Sequence, residues 1–255
     1  MKHLVILSYG RSGTNAVFDH LMNNPHIIVP NKNKEPLNTD SNGGSFSKIN
    51  NISVERMRNQ KNIKLEDSNY HWYDDHLMKM IKRAENKNKI LLSHIKPGHL
   101  SDLNISIEEA VDTLKDKFNF IIIIRKNYLK MISSGLFKKA RKVAGKDKVK
   151  MNKWHVGTAC KWYDEINKKI IDSTLPYARF MIDYEEDLHD NTRITTDKLS
   201  KYFDFYEPYE YEQQRFNFHA QKNKWSDIPL KDKIENWEEI VDALRGTKYE
   251  WMLDS

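Results

Sequence analysis

Three short stretches carry residues that could do chemistry, and each follows an apolar run. The first is Ser8-Tyr9-Gly10-Arg11-Ser12-Gly13-Thr14-Asn15, after Leu4–Leu7. Two glycines three residues apart break a strand-like run, and apolar residues then resume at helical spacing (Ala16, Val17, Phe18, Leu21). A strand, a tight turn and a helix start make an anion cradle, because turn N–H groups and the helix N-terminus both present partial positive charge. Arg11 adds a full charge at its lip. The second stretch, Ser93-His94-Ile95-Lys96-Pro97, follows Ile90–Leu92 and carries an imidazole, which accepts a proton near neutral pH. The third is Arg125, which ends the run Phe118–Ile124; arginine is a permanently charged planar fork suited to phosphate.

These residues need a scaffold that collects the ends of separate strands. Phe120–Ile124 is five apolar, mostly β-branched residues, as at the centre of a parallel sheet buried on both faces. Helical patterns alternate with the strand-like runs. They are expected over Thr14–Met22, Tyr70–Glu85, Ile107–Lys115 (Ser106 and Glu109 forming a capping box), Tyr128–Lys142, Met151–Ile171, Thr196–Phe203 and Lys231–Leu244. Further strands are expected at Ile27–Val29 and Arg179–Ile182. Alternation of this kind predicts an α/β fold, three layers with a central parallel sheet, and ligands at the carboxyl ends of its strands. No Pro- or Gly-rich linker divides the chain, so 1–255 reads as a single domain. Residues 31–51, rich in Asn, Lys, Ser and Gly, read as a mobile loop of the kind that shapes a binding site.

Composition narrows the partners. The net charge of +6 suits an anionic ligand. One cysteine, Cys160, excludes an intramolecular disulfide and a Cys-based zinc site. The ten histidines are scattered, and His71 with His76 lacks the i, i+4 spacing of a helical zinc pair, so no metal is expected. No apolar run reaches membrane-spanning length, and the N-terminal run is too short for a signal peptide; a cytoplasmic protein with no membrane span is expected. The basic run Lys138-Lys139-Ala140-Arg141-Lys142 would suit RNA, but no RNA-binding motif accompanies it and no nucleic-acid partner is expected.

The cradle lacks the Gly-Lys-[Ser/Thr] ending of a nucleoside-triphosphate loop and the G-x-G-x-x-G of a dinucleotide fold. Instead, Tyr-Gly-Arg-Ser-Gly-Thr-Asn resembles the 5′-phosphosulfate loop of sulfotransferases that use PAPS (3′-phosphoadenosine 5′-phosphosulfate). Ile121–Arg125 followed by Ser133, eight residues after the arginine, is similar to that family's 3′-phosphate motif. The resemblance extends through Ile182-Asp183-Tyr184-Glu185-Glu186-Asp187-Leu188, with one glutamate more than the common form. It implies a P-loop nucleoside-kinase-like architecture with PAPS as co-substrate and PAP, the desulfated nucleotide, as product. It assigns Arg11, Ser12, Gly13, Thr14 and Asn15 to the 5′ end, Arg125 and Ser133 to the 3′-phosphate, and Tyr184 to the adenine side. The family's C-terminal Arg-Lys-Gly clamp is missing, and Lys222 or Lys224 is the substitute. The base is either Glu35, in a Lys-Glu-Pro segment like that of bacterial and carbohydrate-type members, or His94, as in cytosolic members; the bacterial-type features favour Glu35. Lys34 and Lys96 are candidates to stabilise the leaving group. The acceptor is expected to be a hydroxyl or amine of a carbohydrate or small molecule, with Tyr70, Trp72 and Tyr73 shaping its pocket. The rival readings are a nucleotide-dependent kinase and a non-catalytic binding module.

Overall fold

Five apolar runs pair side by side in one parallel sheet. They are β1 (His3–Ser8), β2 (Ile27–Ile28), β3 (Ile90–Ile95), β4 (Phe118–Ile124) and β5 (Ala178–Asp183), in the order β2–β3–β1–β4–β5. The computed structural model describes residues 2–10, 13–14, 17–18, 21, 24–29, 77–102, 105–144, 148–188 and 228–254.

Successive strand residues face opposite sides, and both sides are apolar here. Leu4, Ile6, Leu92, Ile121, Ile123 and Ile182 pack against Val17, Phe18 and Leu21, which lie on the helix following β1. Val5, Leu7, Leu91, Phe120, Ile122 and Ile124 pack on the other side against α1 (Leu77–Glu85) and, beyond α2 (Pro97–Asp102), α3 (Ile107–Leu114). Ile170 of the long helix α5 (Lys153–Thr174) closes that layer. Phe120, Ile121, Ile122 and Ile123 are wholly buried, each worth about 1.5–3 kcal/mol relative to exposure. The result is the expected α/β/α arrangement. A third cluster joins α4 (Tyr128–Ala144) and α5 to the C-terminal elements α7 (Leu230–Lys233) and α8 (Trp237–Leu244). Cys160 lies in it, fully buried, its thiol pushed up to about 11 first by burial.

The capping box expected at Ser106 forms, and α5 adds a cap beyond those expected. Ser106 Oγ accepts the Glu109 N–H at 3.0 Å, capping α3, and Asn152 Oδ1 accepts the Trp154 N–H at 3.0 Å at the start of α5. Three expectations need correction. The strand expected at Ile90–Leu92 continues to Ile95, because Ile95 pairs with Leu7; His94 therefore lies within β3 and not beyond it. Helix α2, opening on Pro97, was not expected, although proline at the first helical position is its signal. The single helix expected over Lys231–Leu244 is broken. Ile234 forms a parallel bridge to Val149, and the Asn236 side chain both accepts from Met151 N–H and donates to Met151 C=O. Tertiary pairing of the backbone there outweighs continuous helical spacing.

Candidate functional site

The sheet order fixes where a ligand can sit. From β1 the chain leaves toward β2, and from β4 it leaves toward β5, so the crevice between these neighbouring strands is the switch point. Ser8 pairs with Ile123 and Ile123 with Ile182; one step further on, Ile124 pairs with Asp183. The turn after β1, Arg125 after β4 and Tyr184 after β5 thus emerge side by side, about 4.8 Å from strand to strand. Residues 100 or more apart in sequence become neighbours.

Gly13 has φ of +84°, a left-handed conformation that side chains rarely adopt. An added Cβ would lie 2.6 Å from both Leu188 Cδ1 and Tyr184 Cδ2. The segment following β5 is therefore packed directly on the cradle. Tyr184 also lies against the end of β4, with the Arg125 Cζ 4.0 Å from its ring centroid. That contact is a cation–π interaction, which holds the guanidinium in place.

Glu185 completes this clamp. Its carboxylate accepts the backbone N–H groups of Lys126 at 3.0 Å and Asn127 at 2.9 Å, and lies 3.8 Å from Arg125 Nε. These N–H groups open α4, where a negative charge is favoured. Asn127 caps the same helix, its Oδ1 accepting the Lys130 N–H at 2.8 Å. Lys126 pairs with Asp183, a contact that raises the lysine above its ordinary range. From α5, Asn167 Nδ2 donates to the Arg125 carbonyl at 3.2 Å and to the Tyr128 hydroxyl at 3.2 Å. Arg125 is thus held from two elements, α5 and the segment after β5, its side chain 11% exposed.

At the head of β1, Ser8 Oγ is 2.7 Å from Thr14 Oγ1 and 3.1 Å from His94 Nε2. Ile6, the residue paired with His94, shares its sheet face with Ser8, which explains the contact. The Phe18 ring lies edge-on to His94, centroids 6.1 Å apart. Tyr9, next along, sits edge-on to Trp162 at 5.1 Å and Tyr163 at 4.8 Å; burial, then the neighbouring Tyr163, pushes its hydroxyl up to about 12.

Of the residues singled out in the sequence, Gly13, Thr14, His94, Arg125 and Tyr184 converge on this edge of the sheet. Ser133 lies two turns into α4, buried, its hydroxyl donating to the Lys130 carbonyl at 3.1 Å. Arg11, Ser12, Asn15, Lys34, Glu35, Tyr70, Trp72, Tyr73, Lys222 and Lys224, and the loop 31–51, lie outside the described residues. Sequence reasoning placed Ser8 in its first stretch without a role of its own, and missed Asn167 and the role of Glu185. Glu185 left a signal, as part of the lengthened glutamate run. Among the described residues no group of three or more His, Cys, Asp or Glu gathers as a metal ion would require, and no helix is long and apolar enough to cross a membrane. A cavity of about 500 Å³ opens between the end of β4, α5 and the C-terminal turn, lined by Lys126, Tyr128, Asp164, Lys248 and Trp251 among others; among the described residues, none of the sequence-derived site residues lines it.

No family model matches the chain, and no curated protein matches it. Among solved structures it is similar to the sulfotransferase domain from the Synechococcus PCC 7002 olefin synthase, with a TM-score of 0.42 and 13% identity over 95% of this chain and 93% of that one.

Proposed function

We propose that the protein is a sulfotransferase that moves a sulfuryl group from PAPS to a hydroxyl or amine of a carbohydrate or other small-molecule acceptor. The observation that carries the reading is the Tyr184 ring, which touches Gly13 of the cradle and stacks on Arg125. Two anion-binding elements on neighbouring strands share one side chain, as a nucleotide with phosphates at both its 5′ and 3′ positions requires. The residues present suit that ligand: a left-handed glycine beside a helix start for one phosphate, and a stacked arginine for the other.

When bound, PAPS would supply an activated sulfuryl group, whose sulfur bonds in line to the acceptor as its bond to the 5′-phosphate oxygen breaks and PAP leaves. The chain's own part is to hold, orient and neutralise. Gly13 and Thr14, with Arg11, Ser12 and Asn15, hold the 5′ end. Arg125, with Ser133, takes the 3′-phosphate, and Lys222 is assigned to the same group. Arg11 is also assigned to neutralise the charge that develops on the departing phosphate, where a cation lowers the barrier. The acceptor proton goes to Glu35 or to His94. The two separate by comparing Glu35→Gln with His94→Ala: the variant that loses turnover at least a hundredfold while still binding PAPS marks the base.

Calorimetry with PAP tests the reading. PAP is expected to bind without a metal, and Arg125→Ala to weaken PAP at least tenfold while barely changing the affinity for 5′-AMP, which lacks the 3′-phosphate. Equal losses for both nucleotides would remove Arg125 from its role. No binding of PAP, or tighter binding of ATP with Mg²⁺, would overturn the sulfotransferase reading in favour of a kinase.

A further inference from the structure

Between Arg125 and α5 runs a series of polar side chains in which each hydrogen bond has one possible direction. Asn167 Nδ2 stands 3.2 Å from the Arg125 carbonyl and 3.2 Å from the Tyr128 hydroxyl. A carbonyl only accepts, so the amide presents its NH₂ there, with one hydrogen for each neighbour. Tyr128 therefore accepts from Asn167 and gives its own proton to Asp164 Oδ1, 3.1 Å away. The other Asp164 oxygen pairs with Lys248, from the C-terminal turn. Lys248, ahead of every other cause, holds the Asp164 carboxyl below its ordinary range, so at neutral pH it is a carboxylate and only accepts.

Packing holds these groups in place. Asp164 and Asn167 are three residues apart and share a face of α5. The Tyr128 ring, 4% exposed, stacks on Tyr163 at 5.8 Å and meets Tyr249 edge-on at 6.3 Å, so its hydroxyl cannot swing away. Asn167 is 6% exposed, and its amide has little water to turn to. The series ends on the peptide between Arg125 and Lys126. In a trans peptide the C=O and the N–H point in opposite directions. Here the carbonyl accepts from Asn167, and the Lys126 N–H donates to Glu185 Oε2 at 3.0 Å. One peptide plane is gripped from both sides, by α5 and by the segment after β5. Turning that plane is rotation about ψ of Arg125, so the grip fixes the backbone from which the guanidinium projects.

We propose that Asn167 is a positioning residue for Arg125, kept in its donating orientation by Tyr128 and Asp164. It sets the exit of β4 through the Arg125–Lys126 peptide, and so the aim of the arginine at the 3′-phosphate. The last step rests on the reading of Arg125 as the 3′-phosphate arginine; the grip on the peptide does not. The C-terminal turn contributes to the site at one remove, because Lys248 keeps Asp164 ionised and Asp164 takes the Tyr128 proton.

The test compares Asn167→Asp, which keeps the shape but sets an acceptor against the carbonyl, with Tyr128→Phe, which removes only the hydroxyl. By calorimetry on the full chain, Asn167→Asp is expected to weaken PAP about tenfold and 5′-AMP less than about twofold. Tyr128→Phe is expected to follow the same pattern, with about a threefold loss for PAP. A merely structural role would lower the urea midpoint and leave the ratio of the two affinities at its wild-type value; that result would overturn the proposal. Amide hydrogen exchange, followed by NMR without ligand, reads the grip directly. The Lys126 N–H is expected to exchange about tenfold faster in Asn167→Asp, while that of Ile121, in the middle of β4, keeps its rate. A Lys126 N–H accelerated no more than that of Ile121 would also overturn the proposal. Should Asn167→Asp fold poorly, Tyr128→Phe decides on both measurements. Wild-type protein that does not bind PAP would refute the nucleotide reading alone, and the Lys126 exchange rates would then decide whether Asn167 holds the peptide.

Discussion

At the scale of single residues, the site depends on contacts that leave little room. Gly13 combines a left-handed φ with a Tyr184 ring where a Cβ would go. Gly13→Ala is therefore expected to destabilise the fold by about 1–3 kcal/mol, through backbone strain and overpacking together, read as a lower urea midpoint. It should also displace Tyr184 from Arg125 and so weaken PAP. A variant with wild-type midpoint and affinity would show that the cradle tolerates a methyl group. Tyr184→Leu keeps apolar volume but removes the π face beneath the guanidinium. It is expected to cost PAP affinity about threefold to tenfold with little change in stability, and no loss of affinity would show that the stack does not orient Arg125.

At the scale of elements, the start of α4 is the critical joint. It is held by its own cap, Asn127, and by a carboxylate from α6 (Tyr184–Asp187), Glu185, which accepts two backbone N–H groups. Asn127→Ala is expected to lower stability by about 1 kcal/mol. Glu185→Gln keeps one carbonyl oxygen for two donors and is expected to cost about 1–2 kcal/mol. Both are measured by chemical denaturation. If Glu185 serves the joint, the double variant should lose a different amount from the sum of the singles, because both side chains hold the same turn. Additive losses would mean that they act independently.

At the scale of the whole molecule, the N-terminal end of the central strand β1 carries a buried titratable group that links stability to pH. His3 is 2% exposed, and its Nδ1 accepts the Leu91 N–H at 3.1 Å. Burial, only partly offset by Glu85 3.8 Å away, holds its pKa below the ordinary 6.5. The folded state thus resists the proton that the unfolded chain takes up below pH 6.5. Stability is expected to be independent of His3 above that pH. It should fall as pH drops from there toward the depressed value, by at most about 1.4 kcal/mol per pH unit from this group. His3→Asn, which keeps an acceptor for Leu91, should flatten that part of the curve; an unchanged pH profile would remove His3 from it. Asp164 has the opposite starting point, a carboxyl held low first by Lys248, so its contribution is lost only as pH falls below the ordinary carboxylate range.

The sequence by itself determined the layers and the parallel sheet. Local rules are enough for a glycine turn between strand and helix, for a β-branched run that must lie inside a sheet, and for a serine three residues before a glutamate that caps a helix. The cradle, Arg125 and the parallel α/β fold were legible for that reason. Tertiary structure decided what no local rule contains. It set the order β2–β3–β1–β4–β5, which brings Gly13, Arg125 and Tyr184 together across long separations. It carried β3 through His94 because Ile95 had Leu7 to pair with, and so joined the imidazole to Ser8. It broke the last helix because Ile234 met Val149. Backbone hydrogen bonds and side-chain clamps between distant segments depend on which strands become neighbours, and that follows from burying both faces of one sheet at once.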